Sequence, residues 1–330
     1  MKTRNVPQNG KVPIGKTGIA VTPIGLGTWQ FAGGHKGISG WYWPEIPFKT
    51  AHEIVAKALE SGINWFDTAE SYGNGRSEET LSRALKQCGI KPGEVVIVDK
   101  WWPLLRRAVS MKQSIDVRLR ALGGFAIDLY LIHQPVSISC IKTQMNALAD
   151  LVEAGKIRSA GVSNFCLHKM RQAHKALKAR GIVLAANQLK YNLLDRRIES
   201  NGVLETAKEL GTSIIAWSPL EQGLLTGKYH ENPALMNSMS WFRRKMFGFT
   251  EAGLRKSLPL IEALRKIGLK YGASPSQIAL GWLTQFHKGA VITIAGASKP
   301  AQIEDNAKAL GIKLTPVEMA ELDELSRPFK

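Results

Sequence analysis

The chain has 330 residues, 44% of them apolar and 22% charged, with 31 Gly and 15 Pro. This balance excludes a disordered or low-complexity chain and allows one large α/β domain or two ordinary ones. Lys and Arg outnumber Asp and Glu by 44 to 27, a formal charge of +17 that favours phosphate-bearing partners without choosing among nucleotide, nucleic acid and acidic lipid.

The opening run Met1-Lys2-Thr3-Arg4-Asn5-Val6-Pro7 lacks the apolar core of a signal peptide. No stretch approaches the roughly 20 apolar residues of a membrane span, so a cytoplasmic location is expected. Residues 12–21, turning at Lys16-Thr17-Gly18, predict a small β-hairpin. Apolar runs read as buried strands then follow: Pro23-Ile24-Gly25-Leu26-Gly27, Ile63-Asn64-Trp65-Phe66, Val95-Val96-Ile97-Val98, 127–132, 157–162, 185–189, 213–217 and Val291-Ile292-Thr293-Ile294. The middle six start at 63, 95, 127, 157, 185 and 213, the interval of a strand, a helix and two short loops.

Amphipathic segments alternate with these strands, among them 51–59, stopping at Gly62, and 203–210, stopping at Gly211. Alternation without a linker or a break in composition predicts one domain over 1–330, a (β/α)8 TIM barrel with the N-terminal hairpin plugging its bottom and extra C-terminal helices. A doubly wound open sheet is the alternative. Residues 221–254 break the rhythm and are expected to form a long lid or binding loop. Thr315 and Pro316 are expected to open a last helix. Cys88, Cys140 and Cys166 are widely spaced and form no CxxC pair, so they predict small core or helix residues rather than disulfides or a zinc site, and no metal is expected. The basic face His168, Arg171, Lys175 and Lys178 reads as a solvated outer helix surface.

In a parallel barrel the C-terminal strand ends converge on one face, and catalysis sits there. Those ends carry Asp67, Lys100, His133 and Asn164. Singly, an Asp caps helices, a Lys is solvated and a His can be a satisfied core residue. Together, with Tyr72 between the first two, they place an ammonium beside a phenol and are expected to lower its pKa. The phenol would then act as general acid, with Asp67 orienting the ammonium and neutral His133 bonding a substrate oxygen.

The run Asn64-Trp65-Phe66-Asp67-Thr68-Ala69-Glu70-Ser71-Tyr72-Gly73 resembles the signature of the aldo-keto reductases. Asp128-Leu129-Tyr130-Leu131-Ile132-His133-Gln134-Pro135, Gly161-Val162-Ser163-Asn164-Phe165, Asn187-Gln188, Ala216-Trp217-Ser218-Pro219-Leu220 and 223–229 resemble further blocks in family order. The resemblance implies a barrel that binds an extended nicotinamide nucleotide, with the tetrad Asp67, Tyr72, Lys100 and His133. It places the nucleotide along Thr28, Trp29, Asp67, Ser163, Asn164, Gln188, Trp217, Ser218, Leu220, Gly223 and Lys228, and its adenosine end along Gly296, Ser298, Lys299, Gln302, Asp305 and Asn306. Gly296 and Gln302 stand where many relatives carry Lys and Arg for a 2'-phosphate, leaving Ser298 and Lys299 for that role. The branch resembled is that of potassium-channel β-subunits and related bacterial reductases, which implies NADP(H), with NAD(H) the alternative.

The substrate pocket is expected to include Trp29, Tyr72, Trp101, Trp102 and His133, with Trp41, Trp43, Trp241, Phe242 and Phe247 contributing from loops. The reading is therefore an NADP(H)-dependent reductase of an aldehyde or ketone, the reverse reaction oxidising an alcohol. A nucleotide-sensing subunit with little turnover is the rival. Those subunits lack the histidine that this chain has at 133, and no binding motif accompanies the charge to argue for nucleic acid. A small-molecule carbonyl or alcohol is the expected partner, with neither nucleic acid nor membrane; oligomeric state is open.

Overall fold

The computed structural model describes residues 10–34, 43–239, 244 and 249–330. Two short strands, β1 (Val12–Pro13) and β2 (Ala20–Val21), pair antiparallel as the expected hairpin. Eight further strands follow: β3 (Ile24–Gly27), β4 (Trp65–Asp67), β5 (Val96–Trp101), β6 (Leu129–Ile132), β7 (Ala160–Ser163), β8 (Leu184–Lys190), β9 (Ser213–Trp217) and β10 (Val291–Gly296). Each pairs in parallel with the next, and β10 returns to pair with β3, closing a barrel. Closure excludes the open-sheet alternative.

The two-residue period of a strand sorts the side chains into two layers. On β6, Leu129 and Leu131 join the barrel interior with Trp65, Val98, Ile215 and Ile292, whereas Tyr130 and Ile132 join the larger core between barrel and helices. Small residues make room inside: a Cβ on Gly25 would lie 2.3 Å from the Trp65 indole. The hairpin inserts Ile14, Ile19 and Val21 into the same interior cluster and so closes the bottom. Full burial of each such side chain contributes about 1.5–3 kcal/mol.

The helices follow from the 3.6-residue period. Phe48–Glu60 buries Ala51, Ile54, Val55, Ala58 and Leu59 on one stripe and gives way to Gly62 at φ +83°. Val203–Leu210 stops at Gly211 in the left-handed region, φ +68°. Pro316–Ser326 starts with a reciprocal capping box between Thr315 and Glu318.

One expectation needs correction. Residues 221–254 are not one loop: Glu221–Thr226, Lys228–Glu231 and Pro233–Ser238 are short helical turns, and the long helix Glu251–Tyr271 already begins there. Of the two places expected for the cysteines, core or helix, the structure puts all three at helix ends, with Cys88 packed against the outer core. Cys140 and Cys166 are exposed at the starts of helices Ile141–Glu153 and Leu167–Lys178, and half-buried Cys88 ends Arg76–Gln87. The basic residues 168, 171, 175 and 178 are solvent-exposed, Arg171 pairing with Glu209 at 2.8 Å. Among the described residues no helix is long and apolar enough to cross a membrane.

Candidate active site

Strand alternation decides which polar residues reach the barrel mouth. Trp65 points inward on β4 and Phe66 outward, so Asp67 points inward again at the strand's end. By the same count Val98 and Lys100 face inward on β5, and Asp99 and Trp101 outward. Lys100 Nζ lies 2.5 Å from Asp67 Oδ1 and 2.7 Å from the Thr68 carbonyl, with both side chains at most 1% exposed. Gln188 Nε2 donates to the other Asp67 oxygen at 2.7 Å, so the carboxylate is held from both sides.

Burial pushes the Asp67 carboxyl up, against the Lys100 charge and the hydrogen bonds from Lys100 and Gln188. Burial also pulls Lys100 down, but the charges of Asp67 and Tyr72 outweigh it and the ammonium is kept above its ordinary range. Lys100 is therefore held as an ammonium against the Asp67 carboxyl inside the barrel.

Lys100 Nζ lies 5.0 Å from the Tyr72 ring centroid. Burial pushes the phenol up, and the Lys100 charge and hydrogen bond offset only part of this, so the net direction is upward. This corrects the sequence expectation of a lowered phenol: residue spacing reveals the cation but not the desolvation of the ring. At neutral pH Tyr72 carries its proton. The His133 ring is 5.6 Å from that of Tyr72, edge to face, and burial followed by the Lys100 charge pulls its pKa well below the usual value. Ser71 Oγ lies 3.3 Å from its Nδ1, and with Ser71 as donor the ring proton sits on Nε2.

Three tryptophans surround this centre. Trp29 lies against Tyr72 at 6.1 Å and 28°, Trp43 meets Trp29 edge-on at 5.6 Å, and Trp102 meets His133 edge-on at 5.2 Å. Trp102 is held by Glu70, whose Oε1 accepts from its backbone N–H and from Arg106. Glu70 and Ser71 lay inside the recognised motif, yet sequence reasoning gave neither a role; the signal was a carboxylate in an otherwise uncharged loop.

Trp101 does not belong to the pocket. It is fully buried in the outer core, with its indole N–H on Ser110, because neighbouring strand residues face opposite layers. Trp41, Trp241, Phe242 and Phe247 lie outside the described residues.

The centre opens into a cleft of about 1250 Å³, above the roughly 300–1,000 Å³ of an ordinary single-ligand pocket. Ser163, Asn164, Gln188, Trp217, Ser218, Leu220, Gly223 and Lys228 line it, and its far end reaches Gly296, Ser298, Gln302, Asp305 and Asn306. Asn164, at φ +62°, donates to the His133 carbonyl at 3.1 Å and accepts the Trp217 indole N–H at 3.1 Å. Ser218 (φ +53°) and Gln222 (φ +54°) are likewise left-handed, the backbone turning tightly along the cleft.

Two expected nucleotide contacts fall outside this lining. Thr28 is fully buried and bonds the Asp67 carbonyl at 2.9 Å, supporting the strand end from behind. Lys299 is exposed at the start of helix Pro300–Lys308. Gln302 folds back there, its Oε1 accepting from the N–H groups of Ser298 at 2.8 Å and Lys299 at 3.2 Å. Gln30 packs so closely over Gly296 that a Cβ there would fall 2.2 Å from its carboxamide.

The polar tetrad, the tryptophan walls and the long cleft agree with three comparisons. Residues 23–327 match the model of the Aldo/keto reductase family. An uncharacterised oxidoreductase of Mycobacterium tuberculosis is 35% identical over 310 residues, covering 94% of this chain and 91% of that protein. A Schizosaccharomyces pombe protein described as a putative voltage-gated potassium channel subunit beta is 30% identical, with coverage of 94% and 92%. The solved glycerol dehydrogenase of Gluconobacter oxydans superposes with a TM-score of 0.79 at 28% identity, covering 97% and 95% of the two chains.

Proposed function

The chain belongs to the aldo/keto reductase family, and from that premise we propose that it is a cytoplasmic NADP(H)-dependent reductase of aldehydes or ketones. The observation that carries the reading is the buried Lys100–Asp67 pair beneath a protonated Tyr72 and a neutral His133, at the head of a cleft large enough for two ligands.

The residues along that cleft fit an extended dinucleotide. The left-handed turns at Ser218 and Gln222 and the basic Lys228 suit a phosphate-bearing chain, and Ser163, Asn164 and Gln188 offer carboxamide and hydroxyl groups beside Trp217. Ser298 and Lys299 would take a 2'-phosphate once Gln302 releases their N–H groups. A bound reduced nicotinamide would supply the hydride for the carbonyl carbon.

The chain's own groups do the rest. His133 Nε2–H and the Tyr72 hydroxyl hold the carbonyl oxygen, and the Tyr72 proton passes to it as negative charge develops. Lys100 stabilises the phenolate left behind, and Asp67 keeps the buried Lys100 charged. Oriented donors at an oxyanion are commonly the largest catalytic contribution, and a general acid adds roughly 10²–10⁴ in rate.

Quenching of tryptophan fluorescence by NADPH and by NADH, followed by a carbonyl panel with the tighter nucleotide, tests the reading. Tight NADPH binding with reduction of at least one carbonyl is expected. Binding without any turnover would favour the nucleotide-sensing subunit, a reading kept in view by the similarity to the fission-yeast protein.

A further inference from the structure

Behind the tetrad, on the outward side of β5, lies a second acidic group that the reaction does not use. Asp99 and Glu78 are both fully buried, Asp99 next to Lys100 on the strand and Glu78 on the first turn of helix Arg76–Gln87, which follows the Tyr72 loop. One oxygen of each is accounted for: Asp99 Oδ1 accepts the Lys100 N–H at 2.8 Å, and Glu78 Oε2 accepts from Arg118 Nη1 at 2.8 Å. The other two, Asp99 Oδ2 and Glu78 Oε1, are buried without a donor among the described residues. The two carboxyls are within hydrogen-bonding reach of each other. Two carboxylate oxygens can bond only through a proton.

We propose that Glu78 and Asp99 share one proton, and that this carboxylic acid–carboxylate bond is a positioning device that fixes the Tyr72 loop of one element against the Lys100 strand of the other. The connections on either side are short. The Ser77 N–H reaches the Tyr72 carbonyl at 3.2 Å, and the Glu70 N–H reaches the Lys100 carbonyl at 3.2 Å. A Cβ on Gly75, at φ +101°, would sit 3.4 Å from Glu78 Oε2, so the loop rests directly on the acid pair.

The surrounding charges agree with one proton. Burial and then the charge of Asp99 push Glu78 up to about 10, against Arg118, while burial pushes Asp99 up to about 6, against its bonds and the charges of Lys100 and Arg118. Glu70, paired with Arg106, and the buried Tyr130 hydroxyl complete the set facing the pair. Arg118, from helix Val109–Ala121, is the cation bonded to it among the described residues. Glu78 keeps its proton in the folded state well above the pH at which it loses it in the unfolded chain. The folded state therefore binds more protons, and this contribution to stability declines as pH rises from about 5 towards 10.

Only the kinetic half of the test rests on the reductase reading. Thermal unfolding of the wild type, Glu78→Gln and Glu78→Leu is followed from pH 6 to 9 without ligands. A glutamine amide can donate to Asp99 and accept from Arg118, reproducing the protonated acid, so the melting temperature of the wild type is expected to fall relative to Glu78→Gln as pH rises. A gap that stays constant over that range would mean an ordinary ionised Glu78–Arg118 pair and would overturn the shared proton. In carbonyl reduction, Glu78→Leu is expected to lose at least tenfold in kcat with NADPH affinity within twofold of wild type, and Glu78→Gln to recover most of that loss. Equal losses in the two variants, or none in Glu78→Leu, would overturn the positioning role. Absence of all carbonyl turnover in the wild type would remove the reductase reading and the positioning role with it, while the melting curves still decide the proton.

Discussion

Lys100 and Asp67 form a 2.5 Å ion pair in which neither side chain touches bulk water, held on the carboxylate's far side by Gln188. Removing one partner of a buried pair costs about 3–5 kcal/mol because the other charge is left unpaired. Lys100→Met is expected to lower the urea midpoint accordingly, and adding Asp67→Asn to restore most of it. Neither variant should reduce carbonyls. Additive losses in the double variant would show that the two side chains are not coupled.

The Tyr72 hydroxyl is the proton source in the proposed reaction, so Tyr72→Phe should lower kcat by about 10²–10⁴. The ring remains to stack beneath Trp29, and the nucleotide dissociation constant read by fluorescence should move less than threefold. Substantial residual reduction would remove Tyr72 from the role.

His133 stays neutral because burial, and then Lys100, disfavour its cation. Below about pH 6.5 the unfolded chain takes up a proton there that the folded chain refuses, so stability is lost as pH falls. The stability advantage of wild type over His133→Gln should shrink between pH 7 and 5, by at most about 1.4 kcal/mol per pH unit. Urea titrations at three pH values measure it. An advantage that grows towards low pH would show that the ring is charged in the fold.

Trp101 and Trp102 should separate cleanly. Trp101→Ala opens a cavity in the outer core and should cost about 3–5 kcal/mol with carbonyl KM within twofold. Trp102→Ala strips a wall beside His133 and should raise carbonyl KM about tenfold at a stability cost near 1 kcal/mol, since the backbone bond to Glu70 survives. Chemical denaturation and steady-state kinetics on the same preparations decide between them.

The eight strands, and the polar residues Asp67, Lys100, His133 and Asn164 after four of them, were legible because burial imposes apolar runs and a polar group interrupts them at one end. What escaped depended on the third dimension. Trp101 and Trp102 are adjacent letters, and only the phase of β5 says which of them sees the cleft. The upward shift at Tyr72 follows from desolvation of a half-buried ring, a property of the whole neighbourhood rather than of its motif. Glu78 was hidden among the charges of a helix, and nothing in Arg76-Ser77-Glu78-Glu79 tells which glutamate turns inward until Asp99 is seen opposite.

The inward and outward sorting on β5 also limits how such a protein can change. Deleting or inserting a single residue upstream within that segment would exchange the destinations of Asp99 and Lys100, sending an acid to the phenol and an ammonium to the outer layer. A point substitution damages one group, whereas a slip of one place inverts the polarity of both compartments. The number of residues in β5 is therefore as much a part of the chemistry as their identity.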